Sequence, residues 1–360
     1  MEKLDDFVRI RWFARLFSGA CLQCGESCPN MKRYILGVES TAHTFSVSVV
    51  SSDGEILSNT KSVYTPPEGS GIHPFEASRS HLVAAPRVLA EAVSTSGLPL
   101  NHISAVSYAM GPGLGPCLRV GAVVARTLAA SLRVPLVPVN HAVGHIELGC
   151  LLTDAKDPVV LLVSGGHTMI IAYSGGRWRV LGESLDLTLG QLLDQFGRHH
   201  GLSSPCGKAI EDAASMSTNY LKLPYSVKGN DVSYSGLLTA SKLLLDRGSS
   251  FSDVSYSIQE TAFAMVTEVT ERALAFTGKA EVMIVGGVAA NRRLSEMMSA
   301  MAARHSSSFT MTPLVYSGDC GAQIAWTGWL AHSCGIEVPV NESHVMQSWR
   351  LDQVDIPWRG

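Results

Sequence analysis

His141 and His145 stand four residues apart in the segment from Asn140 to Gly149, NHAVGHIELG. On a helix, residues i and i+4 share a face one turn apart. Two imidazoles so placed can hold one metal ion, and imidazole suits zinc, iron, copper or nickel. The helix start is legible: Leu132–Val139 reads as a short apolar strand, and Asn140 is a good N-cap. The histidines would project just beyond a strand end, where clefts in α/β folds lie. Taken alone, the pair is a spacing that also arises by chance, and it is an incomplete site. Asp319 stands out as a third ligand, an acid among small residues just before a helix in Ser317–Ala322. A two-histidine, one-carboxylate set leaves coordination positions open for Lewis-acid chemistry. A Cys320 thiolate is the alternative ligand; the plain readings are a structural thiol and an N-capping aspartate.

The surrounding elements repeat a grammar. Tyr34–Val38, Phe45–Val50 and Ile56–Val63 read as strands, followed by a helix over Glu76–Ser94 that Pro86 should kink. A strand over Ile103–Tyr108 runs into a Gly/Pro loop and a helix over Leu118–Leu132. Then Val159–Val163, Met169–Tyr173 and Trp178–Glu183 read as strands again, with helices at Leu187–His199, Gly207–Ser215 and Ser257–Phe276. A strand over Val282–Val285 leads into Gly286-Gly287 and a further helix. Strand, small-residue loop, strand, turn, strand, then helices occurs twice: a duplication of topology, not of residues. Glu39-Ser-Thr41 and Ser164-Gly-Gly166 occupy matching hairpin loops. Two such loops facing each other can grip a nucleotide's phosphates through backbone N–H groups and hydroxyls. The Gly286-Gly287 junction lets a planar group approach the backbone, and Asn291 could then bond an adenine or ribose. Asp194 and Glu211 lie in apolar helical contexts where a charge usually has a partner.

The 360 residues carry a net charge of −3 and are 46% hydrophobic. That suffices for two lobes and argues against a surface built wholly for nucleic acid. No apolar run approaches bilayer length. The scattered cysteines suit reduced thiols and a cytoplasmic setting. Residues 1–30 look foreign to the rest; they are expected to be a disordered extension or a misassigned start, with Met31 the functional beginning. A metal knuckle at Cys21, Cys24 and Cys28 would lack a fourth ligand at zinc-ribbon spacing. We expect a first lobe over residues 31–145, with 330–360 packing back on it, and a second lobe over 146–329.

Together these residues closely resemble one family, the tRNA threonylcarbamoyl-adenosine transferases, once labelled O-sialoglycoprotein endopeptidases. The resemblance runs from about Met31 to Trp358. It rests on GVESTAHT (Gly37–Thr44), GPGLG (Gly111–Gly115), NHAVGHIELG (Asn140–Gly149), LVSGGHT (Leu162–Thr168), GESLD (Gly182–Asp186), LPYSVKGNDVSYSG (Leu223–Gly236), YSIQETAFA (Tyr256–Ala264) and GGVAANR (Gly286–Arg292). It implies the duplicated, two-lobed actin/hexokinase/Hsp70-like α/β fold. It also implies one divalent metal ion, Fe(II) or zinc, on His141, His145 and Asp319. Leu162, Val163, Ser164, Gly165, Gly166, Asp194, Gly207, Glu211 and Asn291 would bind the nucleotide portion of threonylcarbamoyl-AMP, and an adenine nucleotide could occupy the same place. The first loop, Thr41-Ala-His-Thr44, is similar to the archaeal and eukaryotic branch. The implied partners are tRNA, a KEOPS-type kinase/ATPase subunit and small accessory subunits, with no membrane. Three positions depart from the branch: Leu162 where a ligating Tyr is common, Cys320 where Asn is usual, and Cys206 where a second Gly stands.

Three other classes are weighed against this. A sugar kinase or ATPase on the same fold needs a carboxylate placed to activate a hydroxyl, and none is identifiable. A helical zinc protease needs Glu directly after its first His, and here Ala142 follows. A non-catalytic scaffold would need no metal.

Overall fold

The computed structural model describes residues 32–67 and 69–359. The expected extension and its cysteine cluster lie outside the described residues. Two five-stranded sheets organise the chain. In the first, β1 (Tyr34–Glu39) pairs antiparallel with β2 (Thr44–Ser51), and β2 antiparallel with β3 (Ile56–Val63). After α1 (Pro74–Ser96), β4 (Ile103–Gly111) returns parallel to β1. After α2 (Gly115–Leu132), β5 (Leu136–Asn140) returns parallel to β4. The chain then passes through α3 (His141–Thr153) and builds the same pattern again. β6 (Val159–Val163), β7 (Thr168–Ser174) and β8 (Arg177–Glu183) form the antiparallel meander.

Between this meander and the return of the sheet lie α4 (Leu189–His199), α5 (Gly207–Ala214), the short hairpin β9 (Val227–Lys228) and β10 (Asp231–Val232), α6 (Ser235–Asp246) and α7 (Phe251–Thr277). β11 (Glu281–Val285) then pairs parallel with β6. After α8 (Arg292–Arg304), β12 (Ser308–Met311) pairs parallel with β11. The spatial order β3-β2-β1-β4-β5 therefore recurs as β8-β7-β6-β11-β12, and this is the duplication that the strand grammar implied. Each central strand is buried on both faces and reads as a near-continuous apolar run.

Several elements differ from the sequence reading, among them α7, α6 and β12. α7 begins at Phe251 rather than Ser257, because Val254 and Ile258 bury in the second core and outweigh the serine-rich start. α6 was not expected. Its first backbone N–H groups, on Tyr234 and Ser235, are taken up by the Asp186 carboxylate from a distant loop. β12 is a short, half-buried edge strand whose local signal is weak. α1 runs through Pro86 as one helix.

The core explains how the cleft is positioned. α1 and α2 cover one face of the first sheet, where Val88, Leu89, Val120 and Leu128 meet Leu36, Val38 and Val47. α9 (Leu314–Ser317) leads to α10 (Gly321–Ser333), which covers the other face. α10 approaches so closely that a Cβ on Gly37 would stand 2.3 Å from the Ala325 backbone nitrogen. Only glycine permits that contact, and the contact sets the height of the loop carrying Asp319. In the second lobe, Val159, Leu161 and Val163 face a core with Phe196, Ile258 and Phe263. The opposite face of β6 presents Val160 and Leu162 to Ala142, Val143 and Ile146 of α3. α3 is thus packed on the second sheet and against α10, and its residues from His141 to Cys150 are all buried. After α10 the tail runs beside β5 and the end of β4, then reaches the β7–β8 turn, where the Ile356 N–H donates to Gly176 O. Among the described residues no helix is long and apolar enough to cross a membrane.

Candidate functional site

Asn140 ends β5 and caps α3. Its side-chain oxygen accepts from the N–H groups of Ala142 and Val143 at 3.0 and 3.2 Å. The cap aims the first two turns of α3 into the space between the sheets. The His141 and His145 rings stand edge to face with centroids 4.7 Å apart. Asp319 arrives from the loop between α9 and α10, with Oδ1 3.6 Å from His141 Nε2 and 3.3 Å from His145 Nε2. One ligand atom from each residue lies within 4.8 Å of the other two. His145 Nε2 is buried without a hydrogen-bond partner. Two imidazole lone pairs and a carboxylate converging in a buried space fit a divalent ion, which would satisfy the orphaned nitrogen.

The His141 ring is held from behind. Its Nδ1 lies 2.9 Å from Glu39 Oε2 and 3.3 Å from Thr41 Oγ1. With the Nδ1 proton donated to the carboxylate, Nε2 is left facing the ligand site, the usual carboxylate–histidine support of a metal. Glu39 is fully buried and also accepts the Thr41 N–H at 2.6 Å. The first small-residue loop therefore reaches the metal helix, and the GPGLG turn packs onto it through the Leu114 N–H to Thr41 O bond. Glu39→Gln keeps the shape and removes the charge. It should weaken metal affinity about 10- to 100-fold with the fold unchanged, as read by competitive chelator titration.

Electrostatics follow from burial and neighbours. Burial alone would lower the His141 pKa, but the adjacent Glu39 carboxylate and Asp319 outweigh it and raise it to about 9. Burial lowers that of His145, against the opposing pull of the Asp319 carboxylate 3.3 Å away. Burial disfavours the Asp319 charge, yet the adjacent His145 and His141 imidazoles hold the carboxyl well below its usual range. Without metal, the raised His141 value contributes stability below its unfolded pKa of about 6.5, lost as pH rises through about 9. Metal must displace that proton. Affinity should therefore tighten by up to about tenfold per pH unit between these limits, releasing close to one proton per ion. Calorimetry in buffers of differing protonation enthalpy checks this; no proton release would contradict it.

The departures have local explanations. Leu162 is fully buried among apolar side chains facing α3, so it offers no donor atom, and the cluster that could hold a metal among the described residues is three side chains. Cys320 is fully buried, and burial pushes its thiol up to about 12, with the Glu39 and Asp319 charges acting the same way. It is a neutral thiol beside Gln323, not a thiolate ligand. Cys206 turns into the second core, while its N–H donates to Asp194 Oδ1 at 2.7 Å and closes the loop before α5.

Of the residues expected to face a nucleotide, Leu162 turns to α3, and the others are held by contacts within the second lobe. Val163 ends β6, and Gly286, with φ +98°, brings its backbone against Val163 O. Ser164 Oγ accepts from the N–H groups of Gly166 and His167, and the exposed Gly165 carbonyl accepts from Thr188 Oγ1. Asp194 on α4 holds the residue before Gly207, the first residue of α5. Glu211 accepts the Arg292 N–H. Asn291 caps α8 with its oxygen and donates its amide to Gln259 Oε1 at 2.6 Å, so most of its bonding is spent within the protein. Residue-by-residue reading placed Glu39 in a phosphate-type loop rather than behind His141, and did not single out Gln323 or His167. Gln323 Nε2 lies 3.1 Å from His141 Nδ1. The His167 ring stacks on that of His141 at 6.0 Å, and burial lowers its pKa to about 3, with both ligand histidines adding to the effect. The available signal was a carboxylate ending an apolar strand, and a histidine inside a glycine loop.

Fold and site together define a duplicated, two-lobed protein of the actin/hexokinase/Hsp70-like kind with a His–His–Asp cluster in its cleft. The same fold is seen in HypF of T. kodakarensis, at TM-score 0.60 and 15% identity, over 84% of this chain and 48% of that one. It is also seen in component A of the Acidaminococcus fermentans (R)-2-hydroxyglutaryl-CoA dehydratase, at TM-score 0.52 and 12% identity, over 83% and 98%. Residues 55–326 match the family profile TsaD, described as tRNA N6-adenosine threonylcarbamoyltransferase. The Caldivirga maquilingensis protein of that name is 48% identical over 90% of this chain and 98% of its own length. The Thermofilum pendens protein of that name is 49% identical, over 90% and 97%. A Methanothermobacter thermautotrophicus protein, named a probable bifunctional tRNA threonylcarbamoyladenosine biosynthesis protein, is 50% identical over 90% of this chain and 60% of that one. The chain belongs to the tRNA N6-adenosine threonylcarbamoyltransferase family and is an enzyme of that class.

Proposed function

We propose that this enzyme moves the threonylcarbamoyl group from threonylcarbamoyl-AMP to the N6 amine of the adenosine 3′ of the anticodon in ANN-decoding tRNAs, in a metal-dependent reaction. The observation that carries this is the buried convergence of His141, His145 and Asp319 in a chain of this family. Fe(II) is the ion we assign, with zinc the competing one. When bound, such an ion supplies Lewis-acid polarisation of an acyl or phosphoryl oxygen. The protein's own part is positioning. Glu39 fixes the His141 tautomer, and the wall from Val163 to Gly166 with Asp194, Gly207, Glu211 and Asn291 orients the mixed anhydride. The exocyclic amine attacks the carbamoyl carbonyl carbon, AMP leaves with the electron pair of the broken C–O bond, and the amine proton passes to solvent or phosphate.

The setting we propose is cytoplasmic, in a KEOPS-type complex with a kinase/ATPase subunit and small accessory subunits. A relative named as bifunctional, of which this chain covers 60%, supports a second activity working beside this one. The two expected lobes, and the tail packing back on the first, remain our division of the chain. The test is reconstitution of the iron-loaded chain with threonylcarbamoyl-AMP and tRNA, with and without partner subunits. Modified adenosine is expected with the partners present; none under any combination overturns the reading.

A further inference from the structure

A cavity of about 280 Å³ lies beside the ligand cluster and adjoins the proposed nucleotide wall at Gly166. Four separate parts of the chain line it. Pro112 comes from the turn after β4, Ala142 from α3, Gly166, His167 and Val180 from the second meander and its loop, and Trp349 from the C-terminal tail. Its link to the chemistry is short: Ala142 follows the ligand His141, and the His167 ring stacks on that of His141. The tail is seated for the purpose. Asn140 caps the metal helix with its oxygen and with its amide donates to Trp349 O at 3.1 Å. The Met346 N–H bonds Met110 O, and the Gly113 N–H bonds Gln347 O. One residue thus fixes both the ligand helix and the aromatic wall.

The lining excludes some ligands and suits others. No lysine lines the cavity, and the rim guanidinium of Arg350 is already paired with Glu183 and Asp352, so a phosphate would find no free cation. The interior is apolar and aromatic, with His167 Nδ1 buried and lacking a partner. A flat heteroaromatic ring with polar edges meets those demands. A transferase acting on a base within an RNA must turn that base out of its stack and hold it, commonly against an aromatic side chain. We infer that this cavity receives the acceptor adenine, stacked on Trp349 and presenting its amine toward the His141–His145–Asp319 cluster. This rests on the transferase reading above.

The experiment uses the full chain with its partner subunits and two probes: tRNA transcript for transfer kinetics, and an anticodon stem-loop with 2-aminopurine at the acceptor position. Trp349→Ala and Val180→Phe, which empties and fills the cavity respectively, should raise KM for tRNA about 10- to 100-fold. Trp349→Phe should rescue to within about threefold, because a stacking face remains. AMP affinity by calorimetry should not move. In the wild type, 2-aminopurine emission should rise as the base leaves its stack and then be quenched against the indole, and the quench should be absent in Trp349→Phe. Val180→Phe is the check should Trp349→Ala fail to fold, since Trp349 also packs on the first core. Unchanged tRNA kinetics with an unchanged emission signal would overturn the inference. So would an equal loss in KM for threonylcarbamoyl-AMP, which would give the cavity to the donor's threonyl group. If the wild type transfers nothing, the function reading fails, and the 2-aminopurine signal alone decides the cavity.

Discussion

His145→Ala is expected to strip the metal and lower tRNA transfer by roughly 10³-fold or more while leaving the thermal unfolding of the metal-free protein nearly unchanged. Losing a supporting residue behind a ligand already costs about 10- to 100-fold. Losing one of three ligands should cost more, on the order of the several kcal/mol that a Lewis acid contributes to a transition state. His145 is the better choice of the pair for a physical reason. Its Nε2 has no partner, so truncation orphans no hydrogen bond on that atom. His141 is different: removing it strands the fully buried Glu39 carboxylate, which then keeps the Thr41 N–H alone. His141→Ala should therefore lose metal and stability together, and its activity loss would be ambiguous. The measurement is metal content by mass spectrometry, beside transfer kinetics and a melt of the chelated protein. A metal-free His141/His145 double variant that transfers at the normal rate would sink the metal role.

The second large effect concerns the middle of the same helix. Glu147 lies two residues beyond His145 and is 3% exposed. Trp178 Nε1 donates to its Oε1 at 2.8 Å, and Arg359 donates Nε and Nη2 to its two oxygens, each at 2.9 Å. The guanidinium also sits 4.7 Å from the Trp178 ring centre and donates to Lys156 O. Arg359→Ala would leave a buried carboxylate with only the indole, which should cost about 3–5 kcal/mol. Replacing both charged residues with Met should recover most of that, because the isolated buried charge is the main penalty. Chemical denaturation of the parent, Arg359→Met, Glu147→Met and the double Met variant reads the coupling. Equal stability of Arg359→Ala and the parent would show that the pair is solvated and contributes little. Because the pair ties the tail to the ligand helix, Arg359→Ala should also loosen metal binding, by a smaller factor than Glu39→Gln.

Much of this protein is legible in local pattern. Helical spacing put His141 and His145 on one face, Asn140 announced the cap, and Asp319 stood out as an acid in a small-residue loop before a helix. Alternation and turn residues revealed the repeated strand–loop–strand–turn–strand succession, because side-chain period and turn chemistry are local properties. Other features depended on approach across the chain. Glu39 meets His141 from 102 positions away, and the loop bearing Asp319 reaches them because glycine at position 37 lets α10 lie against β1. Leu162 offers nothing to a metal because the face of β6 it occupies is covered by α3. The amide of Asn291 is turned to Gln259, and the tail folds so that Trp349 walls a cavity while Arg359 grips Glu147. Periodicity tells which way a side chain points from its own element. Which partner it then meets depends on how closely two elements can pack, and that is decided only when the whole core closes.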